Sequence, residues 1–390
     1  MKKKLIASLV LFACAAAPVF AQLDREGEGF EWKGLYFMPI ASAAGAYDNR
    51  VVLLSDGGAE GDSYGELTAG LEIKNLPARY FFALSGLYGY RMYDQFNALD
   101  DDFYTLNAAL GTSEGKLNWE LSSDYTKRLS YSAVYNPDTG SGPDSILANE
   151  PNIRFLASGN ISYAAPVSEK TSLVPEYSLT HYYQEFERSG GDAEWQIHRV
   201  AVPVEYALSD KTALAFGGAA SLQLTSEETG RIASLYAGAE SRATEKTTYS
   251  VNVGYSFVDY ELSGVEQGFV SDARVVWRPT PKLNAYAFGG NRFLPGYGGG
   301  AARMVYRAGY GVGWDPAEQW NLGAQILHDY QQAIGETNAD QYGEDVRHFF
   351  NARLGYRLMR WAELALTGKY VIDEIDVDQA VIAIRLDCRL

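Results

Sequence analysis

The sequence predicts an all-β protein, a transmembrane antiparallel outer-membrane β-barrel of about eighteen strands. Three observations predict it. Apolar residues alternate with polar or very small ones over most of the chain, which is the period of a strand. Short and long connections take turns, as they do between the two ends of a barrel. The composition suits a large β-structure: 28 Tyr, 39 Gly and 13 Pro in 390 residues, with 13% aromatics. That many aromatics excludes a disordered chain. After the N-terminus the longest charge-free run, Thr212 to Ser226, is broken by Gly, Ser and Gln. It is too short and too polar for a membrane-crossing helix.

The N-terminus reads as an export signal over residues 1–21. Lys2, Lys3 and Lys4 precede the apolar stretch Leu5 to Ala17, and Val19-Phe20-Ala21 offers a cleavage site before Gln22. Lipoprotein processing at Cys14 is the competing reading, with Phe12 bulky for that site. Residues 22–390 then form a single barrel domain. The formal charge of −16 becomes more negative without the three leader lysines, which excludes a general nucleic-acid binder. Only Cys388 would remain, so no internal disulfide is available.

Strands are expected at 33–46, 63–75, 78–92, 102–113, 115–127, 152–165, 171–186, 195–209, 211–225, 230–243, 246–261, 267–278, 282–293, 302–314, 318–330, 346–358, 361–372 and 378–390. Tyr249, Val251, Val253, Tyr255 and Phe257 share one face, opposite Ser250, Asn252, Gly254 and Ser256. Met304, Tyr306, Ala308, Tyr310, Val312 and Trp314 do the same opposite Arg303, Arg307 and glycines. A soluble sandwich or propeller would pack bulky residues on another sheet. Here the second face is small and hydrophilic, as a wet lumen requires.

Turns such as Ser209-Asp210-Lys211 and Thr244-Glu245-Lys246 follow the even strands of this series. The long connections, among them Asn49 to Asp62 and Arg128 to Pro151, follow the odd ones. Short turns belong to the periplasmic side, so both termini are expected there. The final strand alternates to its end through Ala380, Ile382, Ile384, Leu386, Cys388 and Leu390, ready to close on the first. Trp119, Trp277, Trp314, Trp320 and Trp361 lie beside short turns, where rings with a polar edge settle at the membrane boundary.

Chemistry-bearing patterns are sparse. His181, His198, His328 and His348 have no evident Ser or Asp constellation, so no enzyme is expected. Gly298-Gly299-Gly300 reads as a loop tip. The acidic stretches Asp56 to Asp62, Asp100 to Asp102 and Asp373 to Asp378 read as solvated loop charge ahead of calcium sites. No cofactor is expected.

The lumen face is more informative. It carries Arg274, Arg278, Arg303, Arg307, Arg353, Arg357, Arg385 and Arg389, with Glu120, Asp124, Glu205, Glu240, Asp272, Glu363 and Asp387. One reading is an ion-paired wall. The other is a selectivity surface favouring anions, set by Arg274, Arg307, Arg353 and Arg385 near mid-height. Along their own strands, only Asp272 and Asp387 are close enough to pair with these four.

Met38-Pro39-Ile40 through Ala46-Tyr47-Asp48-Asn49-Arg50 resembles the opening of the β-barrel porin 2 family. Its members begin with a Pro-containing strand that runs to Tyr-Asp-Asp-Asn; here the second Asp is missing. Gly65 to Ile73 and Ala78 to Tyr93 are also similar to that family. The resemblance implies an outer-membrane barrel associated with exopolysaccharide or capsule export. In plan, the chain is also similar to the alginate-export porins. The expected function is a passive channel for anionic solutes or for an exopolysaccharide. The expected partners are outer-membrane lipid, the solute or polysaccharide, and envelope export machinery, with no nucleic acid. A plugged barrel scaffolding such machinery is the alternative, and a barrel hydrolase a third.

Overall fold

The computed structural model describes residues 30–53, 59–75, 79–95, 100–112, 115–129, 151–186, 192–225, 229–261, 264–294, 303–333, 344–373 and 378–389. The export signal, Gly298 to Gly300 and most of Arg128 to Pro151 lie outside them. The strands are β1 (Phe30–Trp32), β2 (Leu35–Leu53), β3 (Ala59–Asn75), β4 (Tyr80–Tyr93), β5 (Asp101–Thr112), β6 (Leu117–Leu129) and β7 (Pro151–Tyr163). Next come β8 (Ala165–Pro166), β9 (Thr171–Leu173), β10 (Glu176–Phe186), β11 (Asp192–Ser209), β12 (Thr212–Thr225), β13 (Thr229–Thr244) and β14 (Thr247–Tyr260). The series ends with β15 (Gly264–Thr280), β16 (Leu283–Leu294), β17 (Arg303–Ala317), β18 (Trp320–Ala333), β19 (Glu344–Met359), β20 (Ala362–Asp373) and β21 (Gln379–Arg389).

Eighteen of them, β2–β7 and β10–β21, form a closed antiparallel barrel. Closure joins β2 to β21, from Ile40↔Arg389 to Asp48↔Val381. Every wall strand therefore has two neighbours, which removes the open edge that lipid would not tolerate. The first and last wall strands begin and end at the same rim, the one with the tight turns.

Three details depart from expectation. β2 and β3 run well into the stretch expected as a long connection, with a register shift between Asp48 and Val52. β1 adds a short hairpin on β2, turned at Lys33, which sits at φ 52°, and Gly34. The strand expected over 171–186 is broken into β9 and β10. β11 pairs with β10 as far as Ala201 and with β9 from Val204. Pro175 lies in the gap and Pro203 opposite it, where neither can donate to the ladder.

The tight turns share a local code. In Ser168-Glu169-Lys170, Ser209-Asp210-Lys211, Thr244-Glu245-Lys246 and Thr280-Pro281-Lys282 the hydroxyl accepts from the lysine N–H at 3.1–3.3 Å. Each lysine carbonyl then accepts from a neighbouring strand, as in Arg242 N to Lys211 O at 2.8 Å. Hydroxyl-to-backbone bonds of this kind favour turns over continued strand.

Side-chain alternation along this register sorts the two faces. Leu235, Val253 and Ile382 point outward and are exposed, Leu235 by 69%. A belt of such side chains is unsuited to water and suited to lipid. Trp277, Trp314 and Trp320 stand outward and exposed near the tight-turn rim. Tyr88, Phe257, Phe269 and Tyr370 stand outward and exposed nearer the other rim. Trp277 and Phe269 are about 26 Å of strand apart, roughly 20 Å along the axis of a tilted barrel, close to the apolar height of an outer-membrane wall.

Candidate functional site in the lumen

Inward-facing residues follow from the same register. On β15–β21 they include Arg274, Arg303, Arg307, Arg347, Arg353, Arg357, Lys369, Arg385 and Arg389. Among the described side chains, inward carboxylates there are fewer: Glu266, Asp272, Asp329, Glu363 and Asp387. On β2–β14 the balance reverses. Asp48, Asp62, Glu66, Glu72, Asp101, Glu120, Asp124, Glu176, Glu205 and Glu240 face inward, against Lys74, Arg91, Arg154 and Arg199. One arc of wall is basic and the other acidic. Between them lies a cavity of about 730 Å³, with Arg353, Lys369 and Arg385 on the basic side and Glu66, Asp101 and Arg91 on the acidic side.

Arg274, Arg307, Arg353 and Arg385 all lie on the inward face of the basic arc, but their surroundings differ. Arg307 Nη2 donates to Asp329 Oδ2 at 2.7 Å, with side-chain exposures of 9% and 1%. Arg353 bridges Glu363 and Asp387, the second at 3.6 Å. Arg385 bonds Asp387 and, at 3.1 Å, Ser42 Oγ across the closing seam. The expectation that only Asp272 and Asp387 stand within reach of these four arginines does not hold. Asp329 and Glu363 come from the neighbouring strands β18 and β20, which a count along each arginine's own strand overlooks. Even so, Arg353 and Arg385 keep about 40% of their side chains exposed to the lumen. Ion pairs of this half-exposed kind contribute little to stability and leave the guanidinium faces accessible.

On the acidic arc, Arg91 binds Glu66 at 2.8 Å and lies over the Tyr64 ring, 4.5 Å from its centroid. Arg154 reaches Asp124 at 3.4 Å and Arg199 reaches Glu176 at 3.2 Å. Glu120, Glu205 and Glu240 are exposed nearer the tight-turn rim.

Burial grades along the axis. Toward the tight-turn rim many inward side chains are exposed, among them Glu120, Glu205, Glu240 and Arg357, although Met38 and Ala365 are buried. Toward the long-connection rim they are covered: Tyr93, Phe103, Tyr182, Val258, Tyr260, Leu327, Asp329, Phe349 and Val371 are all buried. Leu327, Phe349 and Val371 pack together with Phe288, and Val258 and Tyr260 pack with Phe293. The ring of Tyr260 lies where a side chain on Gly230 would stand, and its hydroxyl donates to Gln223 at 2.8 Å. Among the described residues the lumen is a polar vestibule toward one rim, and toward the other its wall carries buried aromatic, apolar and some polar side chains. The alternating sequence shows which residues face inward; it does not show this gradient.

All four histidines face outward in the register. His328 and His348 are partners across β18 and β19, with Nδ1 atoms 2.8 Å apart, and His181 bonds Glu194 at 3.0 Å. Of the acidic stretches, Asp62 accepts from the N–H groups of Ser63 and Gln95, Asp100 from that of Tyr93, and Asp101 and Asp102 flank Lys127. Asp373 to Asp378 lies mostly outside the described residues, as do Asp56 to Gly58.

No family model and no curated protein matches the chain. Solved structures that resemble it include OccK2 (OpdF) of Pseudomonas aeruginosa in complex with glucuronate, at TM-score 0.47 and 11% identity over 93% of this chain and 99% of that one. A BenF-like porin from Pseudomonas fluorescens Pf-5 resembles it at TM-score 0.46 and 10% identity, over 91% and 99%. The FrpB iron transporter from Neisseria meningitidis does so at TM-score 0.42 and 10% identity, over 92% of this chain and 63% of that one. This chain thus spans less than two thirds of the iron transporter.

Proposed function

We propose that the protein is an outer-membrane pore for small anionic solutes, with its tight turns and both termini on the periplasmic side. The closed wall, apolar outside and charged inside, is the observation that carries this reading, because that division of faces suits lipid around an aqueous path. The basic arc supplies the preference. Arg353 and Arg385, with Arg274 beside them on the same arc, present guanidinium groups to the vestibule. Such groups stay charged at physiological pH and bind carboxylate or sulfate in bidentate fashion. Half-occupied by Asp387 and Glu363, they hold an anion weakly enough to release it, which conduction requires. Arg307 has a different part: its buried pair with Asp329 fixes the wall.

The test is the reversal potential of a planar bilayer in a salt gradient. Wild-type protein is expected to prefer anions. The combined change Arg274→Gln, Arg353→Gln and Arg385→Gln should abolish that preference while conductance persists. A cation-selective wild type, or a preference that survives the triple change, would overturn the assignment.

A further inference from the structure

We propose that the paired ends of β16 and β17 are a gate, folded into the lumen in this structure and able to swing outward to resume pairing with β15. This rests on the pore reading above and supplies its regulation.

The observation is a fork in the wall. β15 pairs with β14 along its whole upper length, from Tyr260↔Gly264 downward. With β16 it pairs only from Ser271↔Asn291 toward the tight-turn rim. Beyond that point β16 stays paired with β17 as far as Leu294↔Arg303, but not with β15. Asn291 sits at the fork: its side chain accepts from Ser271 Oγ at 2.7 Å and donates to the carbonyl of Phe269 at 2.6 Å.

Past the fork the faces no longer match. Alternation from Asn291 puts Phe293 on the outward face, and its partner Met304 with it. Yet Phe293 is buried against Val258 and Tyr260, which point into the lumen, and Met304 packs on the same cluster. A side chain built on the inward-facing Gly268 would meet the Phe293 ring at 3.6 Å and the Met304 methyl at 3.8 Å. The ends of β16 and β17 have therefore passed inside β14 and β15. Phe269, left on the outer side of the fork, is 76% exposed.

Continuing the β15–β16 register places Phe293 directly opposite Phe269 and turns Met304 outward, both at the level of the aromatic girdle. The same residues thus have two satisfied arrangements. Folded in, Phe293 and Met304 complete the apolar cluster with Val258 and Tyr260 on the lumen side of the wall, the seal of the proposed gate. Swung out, they join the girdle, the ladder beside Gly268 to Val270 is completed, and the seal loses its centre. Elements with two such discrete packings are the usual basis of switching.

Two double-cysteine variants in a Cys388→Ser background separate the states. Val258→Cys with Phe293→Cys reports the folded-in state, and Phe269→Cys with Phe293→Cys the swung-out one. Each is joined with a short reducible bis-thiosulfonate linker and recorded in a planar bilayer. Linking the first pair should lower conductance several-fold, with recovery in dithiothreitol. Linking the second should hold conductance at or above wild type. Phe293→Asp, which puts a charge into the apolar seal, should raise conductance without any linker. Complete linking of the first pair with no change in conductance overturns the gate and leaves the pore reading standing, as does an unaltered Phe293→Asp. Failure of the first pair to link while the second links shows that the folded-in state is not populated, and also overturns it. Folded, heat-modifiable protein with no conductance in any variant or state removes the pore reading itself.

Discussion

The basic and acidic arcs of the wall have the same architecture and spend their charges differently. On the acidic arc, the described arginines are few and reach carboxylates: Arg91 to Glu66, Arg154 to Asp124, Arg199 to Glu176. The carboxylates left over line the vestibule. On the basic arc the carboxylates are the scarce partner, and Asp387 is shared between Arg353 and Arg385. Because the arcs face each other, the difference produces a field across the lumen. The chain's negative net charge does not show it. The basic arc is itself divided, between one covered pair, Arg307 with Asp329, and the half-exposed group around Asp387.

The largest expected effect lies within that division. Asp329→Ala leaves the Arg307 charge without its carboxylate in a covered site, which typically costs about 3–5 kcal/mol. Glu363→Ala cuts a half-exposed pair and should cost up to about 1 kcal/mol. Equilibrium unfolding of the lipid-embedded protein in urea measures both. Equal losses would mean that the two halves of the arc do not differ in burial, and the assignment of Arg307 as a strut would go with them.

A somewhat smaller effect tests the register on which both arcs depend. Val253 pairs with Ala237 and Ser271 on the outward face, and Asn252 with Gly238 and Asp272 on the inward one. A charge on the lipid face near mid-height costs about 2–4 kcal/mol, whereas the lumen accepts it. Val253→Arg should impair assembly into heat-modifiable barrels, and Asn252→Arg should not. A slip of one residue would exchange the two outcomes and turn both arcs toward lipid.

Strand existence, the two faces and the closing seam were legible in the sequence because each depends on local period. Tyr249 to Phe257 alternates so regularly that its orientation follows from a single segment. What depends on the neighbouring strands was not legible. Asp329 becomes the partner of Arg307 only once β17 and β18 are in register. Phe293 and Met304 have the alternation of lipid-facing residues, and only the fork beyond Asn291 turns them inward. The break between β9 and β10 did leave a signal, in Pro175 and Pro203. So did the Ser/Thr-x-Lys turns, whose repetition at four successive connections marks one rim without reference to any other residue.

The smallest expected effect concerns the acidic arc alone. Glu120, Glu205 and Glu240 are exposed on the inward face toward the tight-turn rim, on β6, β11 and β13. If the two arcs act as a pair, neutralising these three should strengthen the anion preference proposed for the arginines. The Glu120→Gln, Glu205→Gln and Glu240→Gln triple should therefore shift the reversal potential further in the anion direction, by less than the arginine changes shift it the other way. The reason for the smaller size is distance. These carboxylates stand outside the cavity that the exposed guanidinium groups of Arg353 and Arg385 line. Screening gives the decisive control. At about 0.1 M salt the Debye length is about 10 Å, enough for wall charges to act across part of the vestibule. At about 1 M it falls to about 3 Å, and only direct contacts survive. The glutamate shift should fade between these conditions while the arginine-dependent preference, which rests on contact, persists in part. A glutamate shift that is unchanged at high salt would place these carboxylates in contact with the permeating ion. The acidic arc would then be a second binding surface and no longer the counter-charge of the first.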